Sequence, residues 1–183
     1  MSHEYLRDEE RSSHRHAPGA RGRLDESARR ITHEELAVAR VLAAEGHDVQ
    51  SQSDRPGTGR TGDFVVCGRE TEVKTLGPKA TSKSLANALI RAQGQGVDVI
   101  VDATGTRMHR LAVDRGLAEF GRRRAAYVDA CRLEGRDSGP GIERIRVMGH
   151  GFERLYRLAE ARHAERPAEH KPQRRFGIGL EPA

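Results

Sequence analysis

The run Val97-Asp98-Val99-Ile100-Val101-Asp102 does most to limit what this chain can become. Val97, Val99, Ile100 and Val101 are apolar and β-branched and fall on both parities, so a strand here has two apolar faces. Such a strand belongs in the middle of a sheet covered on each side. The chain offers the cover. A helix is expected over 32–45, with Thr32 as N-cap, Glu35 as its capping-box partner and Gly46 beyond its end. A second is expected over 84–93, with Leu85, Leu89 and Ala92 inward. A third is expected over 106–122, with Met108, Leu111, Val113, Leu117 and Phe120 inward and Gly121-Arg122-Arg123-Arg124 closing it. Residues 125–133 fit helix or strand. Short strands are expected at 50–53, 64–67 and 71–75. Residues 142–148 alternate and read as an outer strand with Ile145 and Val147 inward, and Phe152, Leu155 and Leu158 suggest a short closing helix. The fold class is α/β, a mixed central sheet flanked by helices.

A chain of 183 residues supports one core of ordinary size. The expected division is a polar, basic arm over 1–30, a folded domain over 31–160 and a loose polar tail over 161–183; the arm and tail have too few apolar residues to offset chain entropy. His3, His14 and His16 fall on the arm and read as solvated. Aromatics are 4% and Trp is absent, so the core rests on Val, Leu, Ile and Ala. The net charge of +5, carried mainly by arginine, points to a polyanionic partner. Cys67 and Cys131 lack metal-ligand spacing, and Cys67, in an apolar run, reads as a buried thiol, which suits a reducing compartment. No signal peptide is visible and no apolar run approaches the roughly 18 residues of a membrane helix, so a soluble protein acting in the cytoplasm, with no membrane partner, is expected.

The chemistry concentrates in Gly62 to Thr75. Asp63 opens the strand Phe64-Val65-Val66-Cys67, Gly68 breaks it, and Thr71-Glu72-Val73-Lys74-Thr75 returns. A period of two places Glu72 and Lys74 on one face with Val73 on the other, and pairing around Gly68-Arg69 brings Asp63 within reach of both. Asp63, Glu72 and the Val73 carbonyl are hard oxygen donors suited to Mg²⁺ or Mn²⁺, and the Lys74 ammonium can aid a reacting water. The plainer alternative is a surface Glu72–Lys74 ion pair. Glu35 falls on the apolar stripe of its helix, as a capping residue or as a carboxylate aimed at the cluster, with Glu34 as the fallback. Lys79, Lys83 and Arg91 follow, either as solvated helix residues or as phosphate contacts.

At these residues the chain resembles the PD-(D/E)xK nuclease superfamily: Asp63, then Glu72-Val73-Lys74, with Gly62 where a proline is usual. More narrowly it resembles the C-terminal nuclease domain of contact-dependent growth inhibition toxins of bacteria (CdiA type). The order of parts carries the likeness over 32–102: a helix with a glutamate, a Gly-x-x-Val turn, Asp-Phe, Glu-x-Lys, and a Lys-Ser-rich helix leading to a strand. The resemblance implies a restriction-endonuclease-like core and a metal-dependent endonuclease with Glu35, Asp63, Glu72 and Lys74 as catalytic residues. It also implies RNA, above all tRNA, as substrate, and a cognate immunity protein as a possible inhibitor. The rival readings are a non-catalytic nucleic-acid-binding protein using an Arg-rich surface, and a protein-interaction module.

Overall fold

In the computed structural model, which describes residues 6–8, 21–53, 62–139 and 141–158, the apolar run lies inside a mixed sheet. In chain order the elements are β1 (Leu6–Asp8), β2 (Leu24–Asp25), α1 (His33–Ala44), β3 (Val49–Ser51), β4 (Phe64–Val66), β5 (Arg69–Thr75), α2 (Ser82–Ala92), β6 (Asp98–Ala103), α3 (Arg110–Leu133), β7 (Arg144–Gly149) and β8 (Phe152–Leu158). The sheet order is β1-β8-β7-β6-β5-β4-β3-β2. β5, β6 and β7 run parallel, as do β2 and β3, and the remaining neighbours are antiparallel.

Paired residues share a face, and the two faces of β6 divide the core. Val99, Val101 and Ala103 pack with Leu85 and Leu89 of α2, Val113, Leu117 and Phe120 of α3, and Ile145, Val147 and Tyr156. Ile100 faces the other way, in a cluster with Val38, Ala39 and Leu42 of α1 and with Val49, Phe64 and Val73. Both faces of the expected central strand are therefore covered.

Several elements differ from expectation. α3 continues through Gly121 and the three arginines to Leu133. Gly121 has open space around it, so it costs only the ~1 kcal/mol propensity of glycine, and Arg123 and Arg124 are held by Asn87 and by the Ser138 carbonyl. Leu111 is 63% exposed, because it lies about half a helical turn from the buried stripe of Val113, Leu117 and Phe120. β7 is an interior strand, not an outer one, since β8 covers its far edge. Residues 152–158 form that strand and not a helix: His150-Gly151, with Gly151 at φ 74°, turns β7 directly into β8. Within the expected arm, β1 pairs with β8, and β2 lies beside β3, where the Gly22 N–H bonds the Ala43 carbonyl at 2.8 Å and the Val49 N–H bonds the Arg23 carbonyl at 2.8 Å. His3, His14, His16 and the whole 161–183 tail fall outside the described residues.

Candidate active site

The β4–β5 hairpin builds the site through where it stops pairing. Its turn is Cys67-Gly68, with φ of 48° and 81°, the two left-handed residues that a tight hairpin needs. Cys67 is therefore an exposed turn residue and not a buried strand thiol. Pairing runs from Val66↔Arg69 to Phe64↔Thr71, after which β4 has ended and, among the described residues, the rest of β5 has no strand on that edge. Asp63 fills the gap: its Oδ2 accepts the Val73 N–H at 2.9 Å, replacing a ladder bond. In a strand the N–H and C=O of one residue point to the same edge, so the Val73 carbonyl faces this gap as well. Gly62 has a steric reason to lack a side chain. A Cβ there would lie 2.9 Å from the Thr71 carbonyl oxygen and 3.1 Å from that of Gln95.

Alternation along β5 holds. Val73 packs with α1, while Glu72 and Lys74 pair with Val99 and Val101 and face the opposite side. Glu72 is 4% exposed. Its Oε1 is in a close ion pair with the Lys74 ammonium, which also donates to Gln95 Oε1 at 3.2 Å, just beyond the end of α2. With Glu72 buried, Lys74 half-buried and a second acceptor in place, this ion pair is less screened than the surface contact of the plainer reading.

Glu35 does both of the things its sequence position allows. It closes the capping box of α1: the Thr32 N–H donates to its Oε2 at 2.9 Å, and Thr32 Oγ1 accepts the Glu35 N–H at 3.3 Å. Its carboxylate also lies beside Asp63. The two are bridged by Arg29, whose Nη1 donates to Glu35 Oε2 at 2.8 Å, while Nη2 donates to Glu35 Oε1 at 3.0 Å and to Asp63 Oδ1 at 3.2 Å. Glu34 is exposed and takes no part in this arrangement.

The electrostatics follow from these contacts. Burial and the negative charge of Glu35 push the Asp63 carboxyl up from its ordinary range, against the Val73 N–H and the Lys74 ammonium. Burial works the same way on Glu35, but the hydrogen bonds from Arg29 and Thr32 outweigh it and hold that carboxyl low. Two neighbouring carboxyls thus have their proton affinities driven apart, a pattern typical of functional sites.

Arg29 was not visible as a site residue. It sits in the polar segment before the cap, and nothing in its spacing separates it from Arg23 or Arg30. Among the described residues no three His, Cys, Asp or Glu side chains are gathered closely enough to hold a metal by themselves. Lys79 and Lys83 are exposed at the start of α2, where the chain leaves β5, and Arg91 is exposed in its last turn. A second charged cluster lies at the other end of the parallel strands. Asp98, 8% exposed, takes Arg69 Nε at 2.9 Å and Arg144 Nε at 3.0 Å, tying β5, β6 and β7 together.

No family's sequence profile matches the chain, and no curated protein matches it. Among solved structures it is similar to the CdiA-CT/CdiI toxin and immunity complex from Burkholderia pseudomallei, with 15% identity, 73% of this chain and 98% of that chain covered, and a TM-score of 0.46. A likeness of that size transfers no activity to this chain. No helix of the described residues is long and apolar enough to cross a membrane.

Proposed function

We propose that this chain is a metal-dependent nuclease of the toxin type, hydrolysing phosphodiester bonds in RNA, tRNA above all, in preference to DNA. One observation supports the reading: where β4 leaves β5, Asp63 takes the Val73 N–H with Glu35 beside it, and the Lys74 ammonium, paired with Glu72, acts on the Asp63 carboxyl from the neighbouring strand position. The donors are anionic or carbonyl oxygens, which fit Mg²⁺ or Mn²⁺ and not a metal that prefers sulfur. Asp63, Glu72 and the Val73 carbonyl would hold the ion. When bound, it would polarise a phosphoryl oxygen and lower the pKa of its water.

The rest falls to the chain's own side chains. Lys74, fixed by Glu72 and Gln95, has three donors and a charge with which to orient the attacking water and offset the charge that develops. Glu35 supplies a second carboxylate beside Asp63. Lys79, Lys83 and Arg91 would meet phosphates of the substrate, positioning it without reading its sequence. The scarcity of aromatics leaves little base stacking, so recognition would rest on backbone charge and RNA shape. An immunity protein covering the site is the partner that the toxin reading implies.

A second reading has its own support. Arg29 and Lys74 already neutralise the carboxylates, an arrangement equally at home in a metal-free protein that binds nucleic acid and leaves it intact. Incubation of the purified chain with total RNA and with linear and supercoiled DNA, each with Mg²⁺ and with chelator, separates the two. Chelator-sensitive loss of tRNA is expected. Chelator-sensitive loss of DNA with tRNA intact would overturn the substrate, and binding without cleavage of either would overturn the enzyme.

A further inference from the structure

We propose that Arg29 holds the place of the divalent cation, so that metal enters the Glu35–Asp63 end of the site only as the segment carrying Arg29 moves off. This rests on the nuclease reading and adds a built-in competitor to it. The geometry is that of a substitute. A single guanidinium nitrogen, Nη2, touches Glu35 Oε1 at 3.0 Å and Asp63 Oδ1 at 3.2 Å, and the other Asp63 oxygen is already committed to the Val73 N–H. An ion ligated by Asp63 Oδ1 would compete with that nitrogen for the same oxygen and for the charge of Glu35 beside it. The charges agree: two neighbouring carboxylates attract a cation, and guanidinium with its planar fork supplies one.

The segment is held in a way that permits exchange. Residues 26–30 belong to no helix or strand, and Ser27, Ala28 and Arg30 are exposed. The anchors are polar. Arg29 Nε donates to the Gln52 carbonyl at 2.8 Å, the Arg29 N–H to Ser51 Oγ at 3.2 Å, and Ser53 Oγ to the Ala28 carbonyl at 3.1 Å. On the far side Ile31, 5% exposed, and the Thr32 cap fix the start of α1. Breaking these contacts costs hydrogen bonds that water can replace, and none of residues 26–30 belongs to either core cluster.

Calorimetric titration of Mn²⁺ into the wild type, Arg29→Ala, Arg29→Lys and Glu72→Gln tests this, together with hydrogen exchange of the wild type with and without Mn²⁺. Arg29→Ala should bind Mn²⁺ about tenfold more tightly, a coupling of ordinary size for mutually exclusive ligands. Arg29→Lys, which keeps the charge and loses the fork, should lie between it and the wild type. Amides of residues 26–30 should exchange faster when Mn²⁺ saturates the wild type, a readout that needs no variant to fold. Unchanged or weaker binding by Arg29→Ala, equality of Arg29→Lys with the wild type, or unchanged exchange over 26–30 would overturn the proposal. If Glu72→Gln alone abolishes binding, the nuclease reading stands without it; if nothing binds Mn²⁺, both fall.

Discussion

Asp63 is made to ionise where burial and a neighbouring carboxylate discourage it, and its folded pKa lies above the ordinary 3.8. A raised carboxyl costs the folded state stability as pH climbs through the ordinary value towards the folded one, and the full penalty persists at neutral pH. Asp63→Asn should therefore melt higher than the wild type at pH 7 and lose cleavage, and the gain in melting temperature should vanish below about pH 4. Glu35 makes two sets of contacts, to the Thr32 cap and to Arg29 beside Asp63, whose consequences substitutions can separate. Thr32→Ala removes the cap and should cost about 0.5–2 kcal/mol with specific activity retained. Glu35→Gln keeps an acceptor for the Thr32 N–H and should lose activity with a smaller change in stability. Melting curves beside cleavage rates per folded molecule decide both. At this scale the shared face of Glu72 and Lys74 was legible, because strand alternation dictates which side chains lie together. Arg29 was not, because its role arises from a contact between chain segments that no periodicity records.

Among the elements, Gly116 marks the crossing of α2 and α3. A Cβ there would lie 2.8 Å from the Ser82 carbonyl oxygen and 2.9 Å from Leu85 Cδ2. Gly116→Ala should thus destabilise by roughly 1–3 kcal/mol in urea unfolding, although alanine is the better helix former. The Asp98 network makes a prediction of opposite sign to that for Asp63. Burial resists ionisation of Asp98, but Arg69 and Arg144 outweigh it and hold the carboxyl below 3.8. Its contribution is complete above the ordinary value and is lost as pH falls through the lower folded value. Asp98→Asn should be destabilised at pH 7, and the difference should narrow in acid. The helix starts were readable to within a turn: Thr32 begins α1 as expected, and α2, expected over 84–93, runs Ser82–Ala92 behind the cap Thr81. β8 was misread because Phe152, Leu155 and Leu158 have helical spacing as well, and the deciding signal was the turn at His150-Gly151. The length of α3 was hidden by Gly121, which reads as a stop but costs little on an exposed face.

For the whole molecule, the central strand and its two covers were foreseeable because Val97 to Val101 admit no exposed face. The strands within 1–30 were not, since their sequence is polar and they depend on edges supplied by β3 and β8. An excess of +5 with few aromatics predicts RNA binding that weakens steeply with salt, and Lys83→Ala should lower the slope of log affinity against log salt by about 0.7–0.9 if it meets one phosphate. The central claim is most directly tested by the rate of tRNA cleavage in Mg²⁺ for the wild type and for Glu72→Gln, with circular dichroism confirming that both are folded. The wild type should cleave and stop on addition of chelator, and folded Glu72→Gln should be silent while still binding RNA. Full, chelator-insensitive cleavage by folded Glu72→Gln, or a wild type that binds RNA and never cuts it in Mg²⁺ or Mn²⁺, would contradict the account.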